Sequence, residues 1–277
     1  STYIDALPKY VGSDGRIHST FNVEGAATGR LSSKDPNLQN IPVKGETGSE
    51  IRKAFIAPKG QVLLGADYSQ IELRIMAHLA DDPGLKKAFN ESLDIHSLTA
   101  SKIFNVPVEK ISREQRMVGK TMNFATLYGQ GPHALSRQLE VEYDVARQYI
   151  NEYFEEFPKV KDWMQKTLIF GYENGYVETL WGRKRFIPEL KAENRMIKSA
   201  GERAAVNMPV QGTAADMIKK AMVEIEQELS TKDGCKMILQ VHDELLFECD
   251  PKAVRETAKT VKGKMENALK LSVPVVV

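Results

Sequence analysis

Leu63-Leu64-Gly65-Ala66-Asp67-Tyr68-Ser69 and Leu239-Gln240-Val241-His242-Asp243-Glu244-Leu245, far apart in the chain, each set a carboxylate at the end of an apolar run. If folding brings those ends together, Asp67 and Asp243 make a site for a divalent metal ion. Between them Arg116, Lys120, Phe124 and Tyr128 stand at i, i+4, i+8 and i+12. A helix lines these four up as one stripe, two cations followed by two rings. The combination suits a nucleoside triphosphate held against metal.

Outward from these segments, Met237 to Val241 and Leu245 to Glu248 are apolar runs separated by His242-Asp243-Glu244, so a tight hairpin presents the polar groups at its tip. Residues 53 to 66 read as two strands with a turn at Pro58-Lys59-Gly60. Ile71, Ile75 and Leu79, flanked by Leu73 and Met76, predict a helix starting near Ser69 and stopping at Asp82-Pro83-Gly84. From Leu85 to about Tyr172 helical signals dominate, punctuated at Asn105-Val106-Pro107, Gly129 to Pro132 and Phe157-Pro158. A hairpin follows, Gly175 to Trp181 and Arg185 to Pro188, with Gly182-Arg183-Lys184 as its basic tip. A basic helix is predicted over Asn194 to Ala205 and another over 213 to 229, N-capped by Thr213. Residues 11 to 50, rich in Gly, Ser, Asn, Thr and Pro, read as ordered loop or very short strands. Strands at both ends and helices between them predict an α+β fold with a helical insertion.

A chain of 277 residues, 42% hydrophobic and 27% charged, has the composition of a globular protein with a large core, in one domain or two. The net charge of +1 hides sorting: Lys and Arg crowd into Arg113 to Lys120 and Arg183 to Arg203, acids into Glu152 to Glu156 and Glu224 to Glu228. Sorted charge binds a polyanion even when the total is near zero. Cys235 and Cys249 have no metal-ligand spacing and are expected as free thiols, in keeping with a reducing compartment. No stretch has the apolar length of a membrane span, and Ser1-Thr2-Tyr3-Ile4-Asp5 does not read as a signal peptide. The absence of an initial Met and the end within Val273-Pro274-Val275-Val276-Val277, which reads as an unfinished strand, predict a piece of something longer.

Each candidate residue also has an ordinary reading. Asp67 alone is a normal helix N-cap and Asp243 a normal turn residue. Taken as a pair they change the argument, because Mg²⁺ uses one or two carboxylates and completes its shell with water and phosphates. Two ions bridged by both aspartates would activate a 3′-hydroxyl at one and stabilise a pyrophosphate leaving group at the other. Arg116 and Lys120 alone are surface, and Phe124 and Tyr128 alone are core. A stripe changing from cationic to aromatic within about 18 Å, at 1.5 Å per residue, has no simple packing purpose. His96 is equally a helix-start residue or a hydrogen-bond donor to a phosphate oxygen. The amide pair Asn207 and Gln211, and the cluster Asn37, Gln39 and Asn40 beside Arg30, suit minor-groove acceptors, which occur in every base pair.

Asp67-Tyr68-Ser69-Gln70-Ile71-Glu72-Leu73-Arg74, then Arg116 to Gly129, then Gln240-Val241-His242-Asp243-Glu244 resemble motifs A, B and C of family A DNA polymerases, the bacterial DNA polymerase I type. Thr28-Gly29-Arg30-Leu31-Ser32-Ser33 and Asn207-Met208-Pro209-Val210-Gln211-Gly212 extend the resemblance over essentially the whole chain. It implies a right-hand polymerase fold: an antiparallel-sheet palm over 1–80 and 206–277, with helical fingers inserted over 81–205. It implies two Mg²⁺ ions on Asp67, Asp243 and the Tyr68 main-chain carbonyl, with Lys120 and the auxiliary Glu244 also in the catalytic set. The dNTP would meet Tyr68, Gln70, Glu72, His96, Arg116, Lys120, Phe124 and Tyr128. Glu72 would act as a steric gate against a ribose 2′-hydroxyl and Tyr128 would guard the templating position. Primer-template DNA would meet Arg30, Asn37, Gln39, Arg185, Arg203, Asn207, Gln211 and His242.

The implied enzyme is a monomeric nucleotidyltransferase of DNA replication and repair, away from membranes. It would work in the cytoplasm, at the nucleoid in a bacterium, or alternatively in an organelle. Met117 and Ala125 stand where many relatives have Arg and Gly, which bears on helix closure and stiffness but removes no residue assigned to chemistry. The family's helical thumb would precede residue 1, which predicts weak DNA affinity and low processivity. Two alternatives are a phage-type single-subunit RNA polymerase, disfavoured by Glu72, and a DNA-binding module without catalysis.

Overall fold

In this computed structural model, which describes residues 3–42, 46–231 and 234–277, strands and helices follow in a mixed order. They are β1 (Thr20–Asn22), β2 (Ser32–Lys34), α1 (Glu46–Lys53), β3 (Val62–Asp67), α2 (Ile71–Ala80), α3 (Pro83–Asn90), α4 (Ile95–Phe104) and α5 (Arg113–Leu127). Next come α6 (Pro132–Leu139), α7 (Tyr143–Glu156), α8 (Pro158–Asn174), β4 (Tyr176–Glu178), β5 (Lys184–Phe186), α9 (Arg195–Leu229), β6 (Cys235–Val241), β7 (Glu244–Cys249) and α10 (Val254–Glu266). Among the described residues all the strand pairs are antiparallel, and the architecture is the α+β class that the sequence predicts. Two compact units form: the chain up to Ser69 with Ala215–Leu269 and Val276–Val277, and Gln70–Ala214 with Lys270–Val275. Among the described residues no helix is long and apolar enough to cross a membrane.

The first unit is built on a three-stranded sheet in the order β3-β7-β6. The central strand β7 alternates, burying Leu245, Phe247 and Cys249, as one covered face of a sheet requires. Helix α10 lies against β3. Tyr68, just beyond β3, is 2% exposed and donates its hydroxyl to the Met265 carbonyl at 2.8 Å. Three expectations change in this unit. Residues 53 to 66 hold one strand rather than two: α1 ends at Lys53, Ile56 is 78% exposed, and the segment before the turn finds no neighbouring strand to pair with. Helix α1 itself replaces expected loop, and the Arg52 guanidinium donates to the Pro42 carbonyl at 3.3 Å. Cys235 and Cys249, expected as free thiols, stand opposite each other in the β6–β7 register, Cα atoms 4.1 Å apart, and are joined as a disulfide. The expectations at Ser1, Thr2 and Val43 to Gly45 lie outside the described residues.

The second unit is helical, with one short hairpin. Helix α2 is buried along almost its whole length, Arg74 included, whose guanidinium lies 4.6 Å from the Phe89 ring centroid and donates to the Pro274 carbonyl at 2.7 Å. It starts at Ile71 after a left-handed Gln70, so Asp67 stays in its strand and is not a helix cap. The predicted stop at Asp82 is also a start, since the Asp82 carboxylate caps α3 through Leu85 N–H and accepts Lys159 N–H of α8 at 3.1 Å. Val177, Ile187, Leu190, Ala205 and Met208 form a core beneath the β4–β5 hairpin. Where the sequence predicts two helices, α9 is continuous through Pro209. The Thr213 hydroxyl lies inside it, donating to the Pro209 carbonyl at 2.6 Å and accepting Leu180 N–H at 3.1 Å. Gly212 marks close packing rather than an end, because a Cβ there would stand 2.6 Å from Thr179 Cγ2. Val273–Val277, expected as a strand, joins no sheet; the Val276 carbonyl accepts Ser69 N–H at 2.8 Å.

Candidate functional site

Asp67 closes β3 and pairs in register with Glu244, which opens β7. The two-residue turn His242-Asp243 joins β6 to β7, with His242 in the left-handed region at φ 56°. Tyr68 N–H donates to the Asp243 carbonyl at 3.2 Å, so the two distant segments meet at one end of the sheet. Part of the Asp67 side chain is open to solvent, yet its carboxyl is pushed up to about 6 by burial first and then by the charges of Asp243 and Glu244. Burial raises Asp243 as well, opposed by the nearby Arg30 and His242 side chains. Carboxylates that crowd one another in this way favour a bound cation. Among the described residues no group of three or more His, Cys, Asp or Glu side chains converges, so two aspartates and main-chain carbonyl groups are what this end could offer a metal ion. That set fits Mg²⁺, which keeps water and substrate oxygens in its shell, and does not fit a closed zinc site.

Around this end the amides are already engaged. Gln39 donates to the Gln240 side-chain oxygen at 2.9 Å and to its backbone carbonyl at 3.2 Å. Gln240 in turn donates to the His242 carbonyl, bracing the turn that presents Asp243. Asn37 accepts Gln39 N–H at 3.0 Å. The Tyr68 ring is buried under α10, while its main-chain N–H bonds the Asp243 carbonyl.

In the second unit the predicted stripe lies on α5, with Arg116, Lys120 and Phe124 inside the helix and Tyr128 as its C-cap. Ser112 and Gln115 form a capping box that fixes its start. Arg116 makes a two-point ion pair with Asp94, at 2.6 and 3.2 Å, and holds the Asp94 carboxyl down to about 2 against the opposing effect of burial. Lys120 is exposed. The Phe124 and Tyr128 ring centroids are 6.2 Å apart, and those of His96 and Phe124 6.1 Å. The Tyr128 hydroxyl donates to Glu72 at 2.9 Å, joining the predicted template guard to the predicted gate, which is 5% exposed. Gln70 precedes Glu72 as the left-handed residue at the start of α2.

Arg185 stands on β5 opposite Val177. Arg203, on α9, donates to Ser199 and lies against Gly129, whose Cβ would be 3.4 Å from Arg203 Cγ. Asn207 and Gln211 follow on the same helix, and among the described residues the buried Asn207 side-chain oxygen has no partner. Asp94 and Asn123 also stand beside Arg116 and His96 without having been singled out in the sequence. An Asp two residues before His96 carries a helix-cap signal, and an Asn in mid-helix needs a bonded reason to be there.

The profile of DNA polymerase family A matches residues 1–277. The chain belongs to that family. It is 49% identical over 276 residues to the thermostable DNA polymerase I of Thermus aquaticus, covering 99% of this chain and 33% of that protein. It is 48% identical over 277 residues to DNA polymerase I of Deinococcus radiodurans, covering 100% of this chain and 29% of that protein. The chain thus spans about a third of the length of these curated relatives. Among solved structures it resembles the POL domain of Pol1 from M. smegmatis, in complex with DNA primer-template and dNTP, with a TM-score of 0.94 and 45% identity over 98% of this chain and 48% of that one.

Proposed function

We propose that the chain carries the polymerising chemistry of a DNA-directed DNA polymerase, adding dNMP from a dNTP to a primer 3′-hydroxyl with release of pyrophosphate. The observation that carries this is the meeting of Asp67 and Asp243 at one sheet end, the Asp67 carboxyl raised first by burial and then by its acidic neighbours. Family membership and the relative solved with primer-template and dNTP support it. Asp67, Asp243 and the Tyr68 carbonyl would hold Mg²⁺, which when bound lowers the cost of charge developing on the oxygens of phosphoryl transfer. Arg116, Lys120 and His96 offer donors to the triphosphate, and the Phe124 ring offers a face to the nucleotide. Glu72, buried and held by Tyr128, is a rigid obstacle to a 2′-hydroxyl. Arg30, His242, Arg185, Arg203, Asn207 and Gln211 serve the DNA strands. In this reading the first unit is the core of the palm and the second is mainly fingers.

Extension of a labelled primer on a DNA template, with dNTPs and then with NTPs, tests the reading. The expected outcome is extension with dNTPs and preference over NTPs by at least about a hundredfold, since a crowded hydroxyl with no partner costs a few kcal/mol. Equal use of NTPs would point to the RNA polymerase reading, and no extension at any enzyme concentration to a DNA-binding module.

A further inference from the structure

We propose that Asn123 sets the tautomer of His96, so that a neutral ring presents Nε2–H as a hydrogen-bond donor to the triphosphate. Asn123 is fully buried on α5 and His96 is 3% exposed at the start of α4. Asn123 Nδ2 lies 2.9 Å from the Gly119 carbonyl and 3.2 Å from His96 Nδ1, while Asn123 Oδ1 lies 3.1 Å from the Thr99 hydroxyl. A carbonyl only accepts, so the Gly119 oxygen fixes which end of the amide is NH₂. The amide's second N–H then points at Nδ1, which must accept and carries no proton, leaving the proton on Nε2. Among the described residues Nε2 has no hydrogen-bond partner.

The charged groups facing the ring are Asp94, which favours the imidazolium, and Arg116 and Lys120, which oppose it; burial is the largest influence and brings the ring down to about 4. A neutral donor of this kind binds phosphate oxygens in the same form from mildly acid to alkaline solution. The spacing behind this arrangement is tight: a Cβ on Gly119 would stand 2.2 Å from the His96 carbonyl, so the α4 and α5 backbones hold ring and amide together.

This inference rests on the polymerase reading only for the identity of the ligand. Long-range ¹H–¹⁵N correlation on the ¹⁵N-histidine-labelled protein tests the tautomer without any activity. The expected result is an unprotonated Nδ1 and a protonated Nε2 at His96 from about pH 6 to 8. An imidazolium or an Nδ1–H tautomer at neutral pH would overturn the proposal whether or not primers are extended. In the second arm, Asn123→Asp should turn the ring signature to protonated Nδ1, and KM for dNTP should rise more than kcat falls. His96→Gln, which keeps an N–H donor, should retain dNTP affinity at least about tenfold better than His96→Ala, the scale of a hydrogen bond to a charged oxygen. Equal losses in Gln and Ala variants would overturn the donor role. If the tautomer is as stated and no dNTP binds, the polymerase reading fails and the assignment of the donor to a triphosphate fails with it.

Discussion

Asp67 is the residue whose surroundings differ most from what an isolated strand end would provide. Its carboxyl is raised from 3.8 to about 6, chiefly by burial and then by Asp243 and Glu244. A folded-state acid raised above its unfolded value favours the fold in its protonated form, so its contribution is fullest below about 4 and is lost as pH rises through about 6. In a chelating buffer the melting midpoint of the unmodified chain, relative to Asp67→Asn, should therefore fall over that interval and level off above it. A constant difference across the interval would show that neither burial nor the neighbouring carboxylates raise the Asp67 carboxyl. Asp67 and Asp243 were legible because each follows an apolar run. Asp94 was not, because its ion pair with Arg116 joins residues whose proximity depends on how α4 packs on α5.

At the scale of elements, the hairpin with Asp243 at its tip and the cation-to-aromatic stripe on α5 could be read from period and punctuation alone. Helix α9 could not. Pro209 and Gly212 are local stop signals, but Met208, Pro209 and Val210 are buried within α9, so packing outweighs propensity. The β6–β7 register, which sets Cys235 opposite Cys249, likewise depends on an irregularity between Met237 and Leu239 that spacing does not reveal. Thr213 is 1% exposed and serves both the Pro209 carbonyl and Leu180 N–H. Thr213→Val keeps the shape and leaves Leu180 N–H without its acceptor, which should lower stability in urea by about 1–3 kcal/mol. An unchanged denaturation midpoint would mean that the hydroxyl is not what joins α9 to the hairpin.

For the whole molecule, a net charge of +1 predicts no steering toward a polyanion, whereas the clusters Arg113 to Lys120 and Arg183 to Arg203 do. Binding of a primer-template should accordingly weaken by at least about tenfold between 50 and 200 mM salt if several phosphates are neutralised. Fluorescence anisotropy of labelled DNA measures this directly, and a flat salt response would mean that sorted charge plays no part. One chemical step depends on both sequence segments at once. The decisive measurement is single-nucleotide primer extension in Mg²⁺ by the unmodified chain and by Asp243→Asn, with DNA binding recorded for both. The account predicts retained binding and a rate lowered by about a thousandfold or more in the variant, several kcal/mol of lost charge stabilisation. Equal product from the two proteins would contradict it.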